Sequence, residues 1–337
     1  MEDALLAQRL AKLEELRDHG IDPDPHRTAR SHTTAEVTAI VEAHEESEPD
    51  VDPVDVAGRV VAHRDMGKAA FLDVQDGSGR IQVLMRKNVL GEEDFDLLRL
   101  IDLGDFIGVQ GKPMRTRTGQ PTIGAQSWTV LAKALHAPPE KYHGLHDAEQ
   151  RQRRRYLDLM SNDETRRVFA VRSRVVSGIR RFLDDRGFLE VETPVLQENA
   201  GGAAARPFVT HFNALDEDRF LRISLELHLK RLVVGGFDRV YELGRIFRNE
   251  GLGAKYNPEF TMLESYQAYA DYNDVATMVE EMISTVARDA LGSLTCTFRD
   301  NDDRPYPALA THHVPRRPAP VRRSRPGPVP RCGFAPR

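Results

Sequence analysis

Cysteine is nearly absent: the 337 residues include only two, Cys296 and Cys332, with no CxxC pair. That excludes a disulfide framework, gives no zinc signature and fits a reducing compartment, so the expected location is cytoplasmic. No run of 18 apolar residues occurs, and the start, MEDALLAQRLAKLEELRDHG, lacks the long apolar centre of a signal peptide. Membrane spanning and secretion are both disfavoured. The phosphate-binding pattern GxxxxGK[ST] is missing, and Gly251 to Gly253 is GLG rather than GxGxxG, so P-loop and dinucleotide readings are weak.

What is present suits a globular protein. With 40% hydrophobic residues, the chain is long enough for two domains with cores of their own. Of the 47 Lys and Arg residues, eight arginines follow Asp303 with no acidic residue among them, leaving 39 against 52 acids, a net of −13. Such acidity argues against nonspecific nucleic-acid binding by the whole surface but leaves room for a local basic stripe. RQRRRYLDL, from Arg151, is one candidate.

Hydrophobic periodicity divides the chain. Leu5, Leu6, Leu10, Leu13 and Leu16 predict an amphipathic helix over Ala4 to Leu16, ahead of the turn GIDPDP, and His44 to Pro53 reads as an acidic linker. From Val54 the period becomes two. DGSG between alternating runs predicts a hairpin, and about five strands from Val56 to Leu131 fit an OB-fold. After the linker HAPPEKYHG, Val168, Val171, Val175, Ile179, Phe182 and Leu183 mark one face of a helix over Asp163 to Asp185. A second amphipathic helix follows Asn273, its expected N-cap, with Met278 and Met282 in a core stripe.

The most informative stretch is RIFRNEGLGAKYNPEFTMLESY, Arg245 to Tyr266, which reads as two strands joined by a glycine-containing loop. Alternation places Arg248 and Glu250 on one side of the outgoing strand and Phe260, Met262, Glu264 and Tyr266 together on the returning one. Carboxylates on a buried face need partners. Either a ligand supplies them or Glu264 and Glu226 pair with an internal arginine such as Arg222.

FRNE followed by NPEF resembles motif 2 of the class II aminoacyl-tRNA synthetases, in the form used by the lysine enzymes. GFLEVETPVL, Gly187 to Leu196, resembles motif 1, and GGAAARPFVTHFNAL and LELHLKRLVVGGFDRVYELGR resemble the amino-acid loop and the segment after it. The class I signatures HIGH and KMSKS are absent. The resemblance implies an α+β chain: a five-stranded OB-fold barrel binding the anticodon, then a partial class II antiparallel sheet flanked by helices. The expected division is 1–53, helix and acidic linker; 54–135, barrel; 136–160, linker; 161–300, partial catalytic domain; and 301–337, a Pro/Arg-rich tail.

The resemblance further implies that L-lysine is activated with ATP and Mg2+ and transferred to the 3′ end of lysine tRNA by a homodimer formed through motif 1. Arg248 would bridge the lysine carboxylate and the α-phosphate, Glu250 would accept from the adenine amino group and Phe260 would stack the ring. Tyr256 and Asn257 complete the ATP set. Glu264 and Tyr266 would meet the lysine ammonium, with Glu226 and the Gly202 backbone on the α-amino group. In the barrel, Phe71 would stack an anticodon base, Gln82 would read an edge and Arg64 would contact base or phosphate; otherwise Phe71 is a core side chain. The family generally has histidine or arginine at Tyr256, tyrosine at His228 and glutamate at Gln120.

A third motif, with its arginine and magnesium ligands, has no counterpart after residue 300, where the chain runs PYPALATHHVPRRPAPVRRSRPGPVPRCGFAPR. A shift of reading frame near Asn301 would produce such a tail, and a GxGxDR-type segment in another frame of the gene would establish it. The alternative is a natural basic tail that binds RNA. Two functions follow: a lysine-activating enzyme, or a catalytically inactive remnant that serves as an anticodon-binding module.

Overall fold

The computed structural model describes residues 2–44, 50–139, 147–251, 253 and 256–294. Half of the expected acidic linker, part of HAPPEKYHG and the Pro/Arg-rich tail lie outside the described residues. The chain forms two compact units that divide between Thr165 and Arg166.

The first unit opens with helices α1 (Glu2–Asp18) and α2 (Thr34–Ala43), followed by strands β1 (Val54–Asp65), β2 (Ala69–Gln75) and β3 (Arg80–Arg86). Two short helices, α3 (Lys87–Leu90) and α4 (Glu92–Asp96), lead to β4 (Phe106–Arg115) and β5 (Pro121–Ala132). The five strands close in the order β1-β2-β3-β5-β4, and their inward residues, among them Val56, Val60, Leu72, Val83, Ile107 and Ile123, are buried. The OB-fold expectation therefore holds, and DGSG joins β2 to β3 as a hairpin.

The flanking helices differ from expectation. On α1, Leu16 and Arg9 are buried while Leu5 and Leu10 stay exposed. Arg9 donates to the Ala134 and Leu103 carbonyls and Lys12 pairs with Asp102, so charged side chains form much of the docking face that leucines were expected to supply. Helix α2 was not anticipated, although Thr33 and Glu36 form a capping box ahead of buried Val37 and Val41. The second half of the expected 136–160 linker folds as α5 (Ala148–Arg153) and α6 (Arg155–Ser161). Buried Asp158 accepts from Arg151 and Arg155, and Arg153 pairs with Glu149. Three of the four arginines of the supposed basic stripe are thus neutralised within the unit.

Asp76 fastens α2 to the barrel. Its carboxylate accepts from Thr34 N (3.0 Å), Thr34 Oγ1 (2.7 Å), Ser78 N (2.8 Å) and Gly79 N (3.1 Å). Burial opposes ionisation, yet the bonds from Ser78 and Thr34 outweigh it and hold the Asp76 pKa far below its ordinary 3.8. A depressed carboxylate contributes stability that is complete above the unfolded value and is lost as pH falls below it. Asp76→Asn should therefore cost about 1–3 kcal/mol at pH 6, with the gap to the parent narrowing below pH 3.8. Denaturant melts across that range check this; a gap independent of pH would exclude it.

The second unit comprises α7 (Asp163–Asp184) from Arg166 onward, β6 (Leu189–Glu190), β7 (Leu196–Gln197), β8 (Val209–Phe212), β9 (Glu217–Leu221), α8 (Glu226–Val234), β10 (Arg239–Phe247), β11 (Glu259–Gln267) and α9 (Tyr272–Leu291). β10 pairs antiparallel with β11 and parallel with β6; β7, β9 and β8 form a second sheet. Residues from α7 and α9 pack on one face of the β10–β11 hairpin through Phe182, Leu183, Tyr241, Met282 and Val286. On the other face, Leu225 and Leu229 meet Val240, Ile246, Phe260 and Met262. Two expectations need correction. The cap of α9 is Asp271, whose shorter reach to the Asn273 and Asp274 N–H groups places Asn273 within the first turn. Only the second half of the α7 apolar face is buried; Val168 is 56% exposed.

Candidate functional site

Period-2 geometry places Val240, Glu242, Gly244 and Ile246 of β10 on the same face as Phe260, Met262, Glu264 and Tyr266 of β11, with Glu242 opposite Glu264. The expected grouping on β11 is correct. Arg248 and Glu250 are not strand residues, however, because β10 ends at Phe247 and the chain turns there. Arg248 is held by its backbone, donating to Pro258 O at 2.8 Å, and its guanidinium lies 5.3 Å from the Phe260 ring centroid. Glu250, Tyr256 and Asn257 are exposed in the loop.

The two carboxylates that face each other have different partners. Arg222 pairs with Glu242 at 2.5 Å, both side chains being 4% exposed, and donates to Arg245 O and Thr193 O. Thr193 Oγ1 donates to the second Glu242 oxygen at 2.6 Å. A Cβ on Gly244 would lie 2.2 Å from Arg222 Nη2, so the guanidinium occupies space that only glycine leaves open. The internal arginine is thus committed to Glu242, which sequence reasoning did not single out although its strand period was legible. Glu264 instead accepts from Ser224 Oγ (2.8 Å), Leu225 N (3.1 Å) and Tyr266 Oη (3.3 Å). Among the described residues no cation pairs with it.

Glu226, at the start of α8, pairs with Lys230 at 2.6 Å, a partly exposed i,i+4 contact; such pairs contribute about 0.5 kcal/mol or less. Gly202 (φ 87°) packs on Ser224 and Glu226: a Cβ there would stand 2.8 Å from Ser224 Oγ. Tyr266 has its pKa raised by burial, then by Glu264 and Glu226, so its hydroxyl stays protonated and can donate. Burial, then Arg231, lowers the His228 pKa, so that side chain adds no positive charge near neutral pH. No group of three His, Cys, Asp or Glu side chains converges as a metal site among the described residues.

On the barrel, Phe71 alternates with buried Ala70 and Leu72, so its half-buried ring lies on the outer face and not in the core. The register sets Arg64 opposite Phe71 and Gln82 opposite Asp73. All three sequence candidates therefore share one surface of β1, β2 and β3. Buried Asp73 was missed despite the same alternation; its carboxylate lies 3.2 Å from Arg64 and 3.6 Å from Arg80, two guanidiniums that are about half exposed. Gln82 accepts from Thr122 Oγ1 at 3.1 Å through its amide oxygen. No described helix is long and apolar enough to cross a membrane.

A barrel with an outward ring and guanidiniums, ahead of a hairpin that presents an arginine, an aromatic and a carboxylate, has clear relatives. Residues 147–317 match the tRNA synthetases class II (D, K and N), and residues 54–131 match the OB-fold nucleic acid binding domain. The chain belongs to this class II synthetase family. Its curated relatives include lysine–tRNA ligases of Dehalococcoides mccartyi, 53% identical over 313 residues, and of Bacillus cytotoxicus, 46% identical over 316. That of Pelotomaculum thermopropionicum is 51% identical over 298 residues. These alignments cover 92%, 93% and 88% of this chain and 63%, 63% and 58% of the relatives, so the chain spans about six-tenths of their length.

Proposed function

We propose that the chain supplies the lysine-recognition, ATP-contacting and anticodon-binding parts of a lysine–tRNA ligase. The observation that carries this is Glu264, a carboxylate on the hairpin face met by neutral donors while the nearby arginine is spent on Glu242. An ammonium is the complement of such a site, whereas the aspartate or asparagine side chain would bring a like charge or none. Tyr266 Oη offers the ammonium a second oxygen. Glu226 and the Gly202 backbone receive the α-amino group, with Lys230 yielding its weak surface contact.

In the first step a lysine carboxylate oxygen attacks the α-phosphorus of ATP, the bond to pyrophosphate breaks and lysyl-adenylate forms. In the second, the tRNA 3′-terminal hydroxyl takes the lysyl group and AMP leaves. Neither step needs a protein nucleophile. Arg248 bridges the carboxylate and the α-phosphate, and Phe260, already beneath its guanidinium, stacks adenine. Glu250, Tyr256 and Asn257 supply the remaining nucleotide contacts. Magnesium supplies charge neutralisation on the phosphates when bound, and no step here depends on where its ligands lie. The exposed Val168 and Phe169 of α7 and Leu189 of the motif 1 segment form the homodimer surface, which sedimentation of the chain tests.

Lysine-dependent exchange of pyrophosphate into ATP, with aspartate and asparagine as controls, tests the activation reading. Exchange with lysine alone is the expected result for a site complete enough to activate it. Binding of the lysine-tRNA anticodon stem-loop tests the barrel separately, and Phe71→Ala should weaken it about tenfold or more through lost stacking. Stem-loop binding without exchange would favour the anticodon-binding module.

A further inference from the structure

Ser224 is 5% exposed and sits two residues before α8, next to its N-cap Leu225. Its Oγ accepts the Glu226 N–H at 3.1 Å and lies 2.8 Å from Glu264 Oε1. A serine hydroxyl has one proton to give. With the Glu226 N–H directed at its oxygen, that proton goes to the carboxylate. Leu225 N–H donates to the same Oε1 at 3.1 Å, whereas Oε2 receives only the longer contact from Tyr266. One carboxylate oxygen is therefore fastened and the other remains for a ligand. The same hydroxyl lies against Gly202, where a Cβ would stand 2.8 Å from Ser224 Oγ.

We infer that Ser224 is a positioning residue for amino-acid selection: it turns the free oxygen of Glu264 toward the substrate ammonium and ties that carboxylate to the Glu226 backbone at the start of α8. This rests on the reading of Glu264 as the ammonium receptor. A rotatable glutamate without that anchor would present its charge in several directions and lose the preorganisation that makes a binding carboxylate selective. Arg248 reaches this segment only through the Ile223 carbonyl, at 3.4 Å, and not through the Ser224 hydroxyl, so removing the hydroxyl alone should act on the amino-acid side chain.

The test measures binding of lysine, norleucine and ATP to the 337-residue chain and to Ser224→Ala, Ser224→Cys and Glu264→Gln, with melting curves to confirm folding. Norleucine keeps the chain of lysine without its ammonium. Ser224→Ala should weaken lysine about tenfold, leave norleucine and ATP within twofold, and place Ser224→Cys, with its weaker donor, in between. If Ser224→Ala binds lysine like the parent while Glu264→Gln does not, the inference about Ser224 fails and the ammonium reading stands. If Glu264→Gln also keeps lysine over norleucine, or the parent makes no such distinction, both fail. Parallel loss of all three ligands would reduce Ser224 to a structural role and overturn the inference.

Discussion

Arg222→Met is expected to destabilise the synthetase unit while leaving the barrel's own transition in place. The substitution keeps most of the side-chain volume but strands Glu242, which is 3% exposed, without its cation. Removing one partner of a buried ion pair typically costs about 3–5 kcal/mol, because the remaining charge has left water without compensation. The loss extends further: Arg222 also ties Arg245 O of β10 to Thr193 O in the segment after β6. For a unit of this size the shift is about 10 °C or more in melting temperature.

The sequence provides a way to assign that shift. Trp128, the single tryptophan, lies on β5 and packs against the barrel core, so its fluorescence follows the first unit, while far-UV dichroism follows both. Arg222→Met should lower the dichroism transition and leave the Trp128 transition unmoved. A variant as stable as the parent by both probes would mean that Glu242 finds another partner and that the pair does not organise the hairpin face.

The same pair marks the boundary of what could be read beforehand. Strand alternation made the shared face of Phe260, Met262, Glu264 and Tyr266 legible, because period two follows from local geometry alone. It equally contained Glu242 and Asp73, which went unremarked because neither belongs to a motif. Ser224 carried no signal of any kind. Its importance comes from contacts with Glu264 and Gly202, 40 and 22 positions away, which no local pattern encodes. Arg248 was misplaced for the opposite reason: alternation was extended past Phe247, where the chain leaves the sheet. On α1, the leucines suggested an apolar face, but long cationic side chains can cover a surface as well as leucine does when carbonyls and carboxylates await their heads.

Those awaiting groups lead to the second large effect, at the end of the barrel where β5 finishes. Lys133 is 1% exposed and spends all three protons, on Asp102 (2.6 Å), Asp105 (2.6 Å) and Leu100 O (2.7 Å). Asp105, fully buried, also accepts from Ala134 N and Asp102 N at 2.8 Å each. Asp102 reaches outward to Lys12 of α1 at 2.7 Å. Burial disfavours the Asp102 charge, but the bonds from Lys12 and Lys133 prevail and its pKa lies below the ordinary value. Lys133→Met removes the central cation and leaves two carboxylates close together, one of them wholly out of water. The expected cost is about 3–5 kcal/mol, read as a fall in the Trp128 transition with α1 released from the barrel. Asp105→Asn added to Lys133→Met should restore part of that loss, since the amide oxygen can still accept a backbone N–H while the stranded charge is gone. Coupling of more than about 1 kcal/mol in the double-mutant cycle is the expected signature of such a network. Strict additivity would mean that Lys133 acts through its aliphatic stem, and that packing rather than charge closes this end of the barrel.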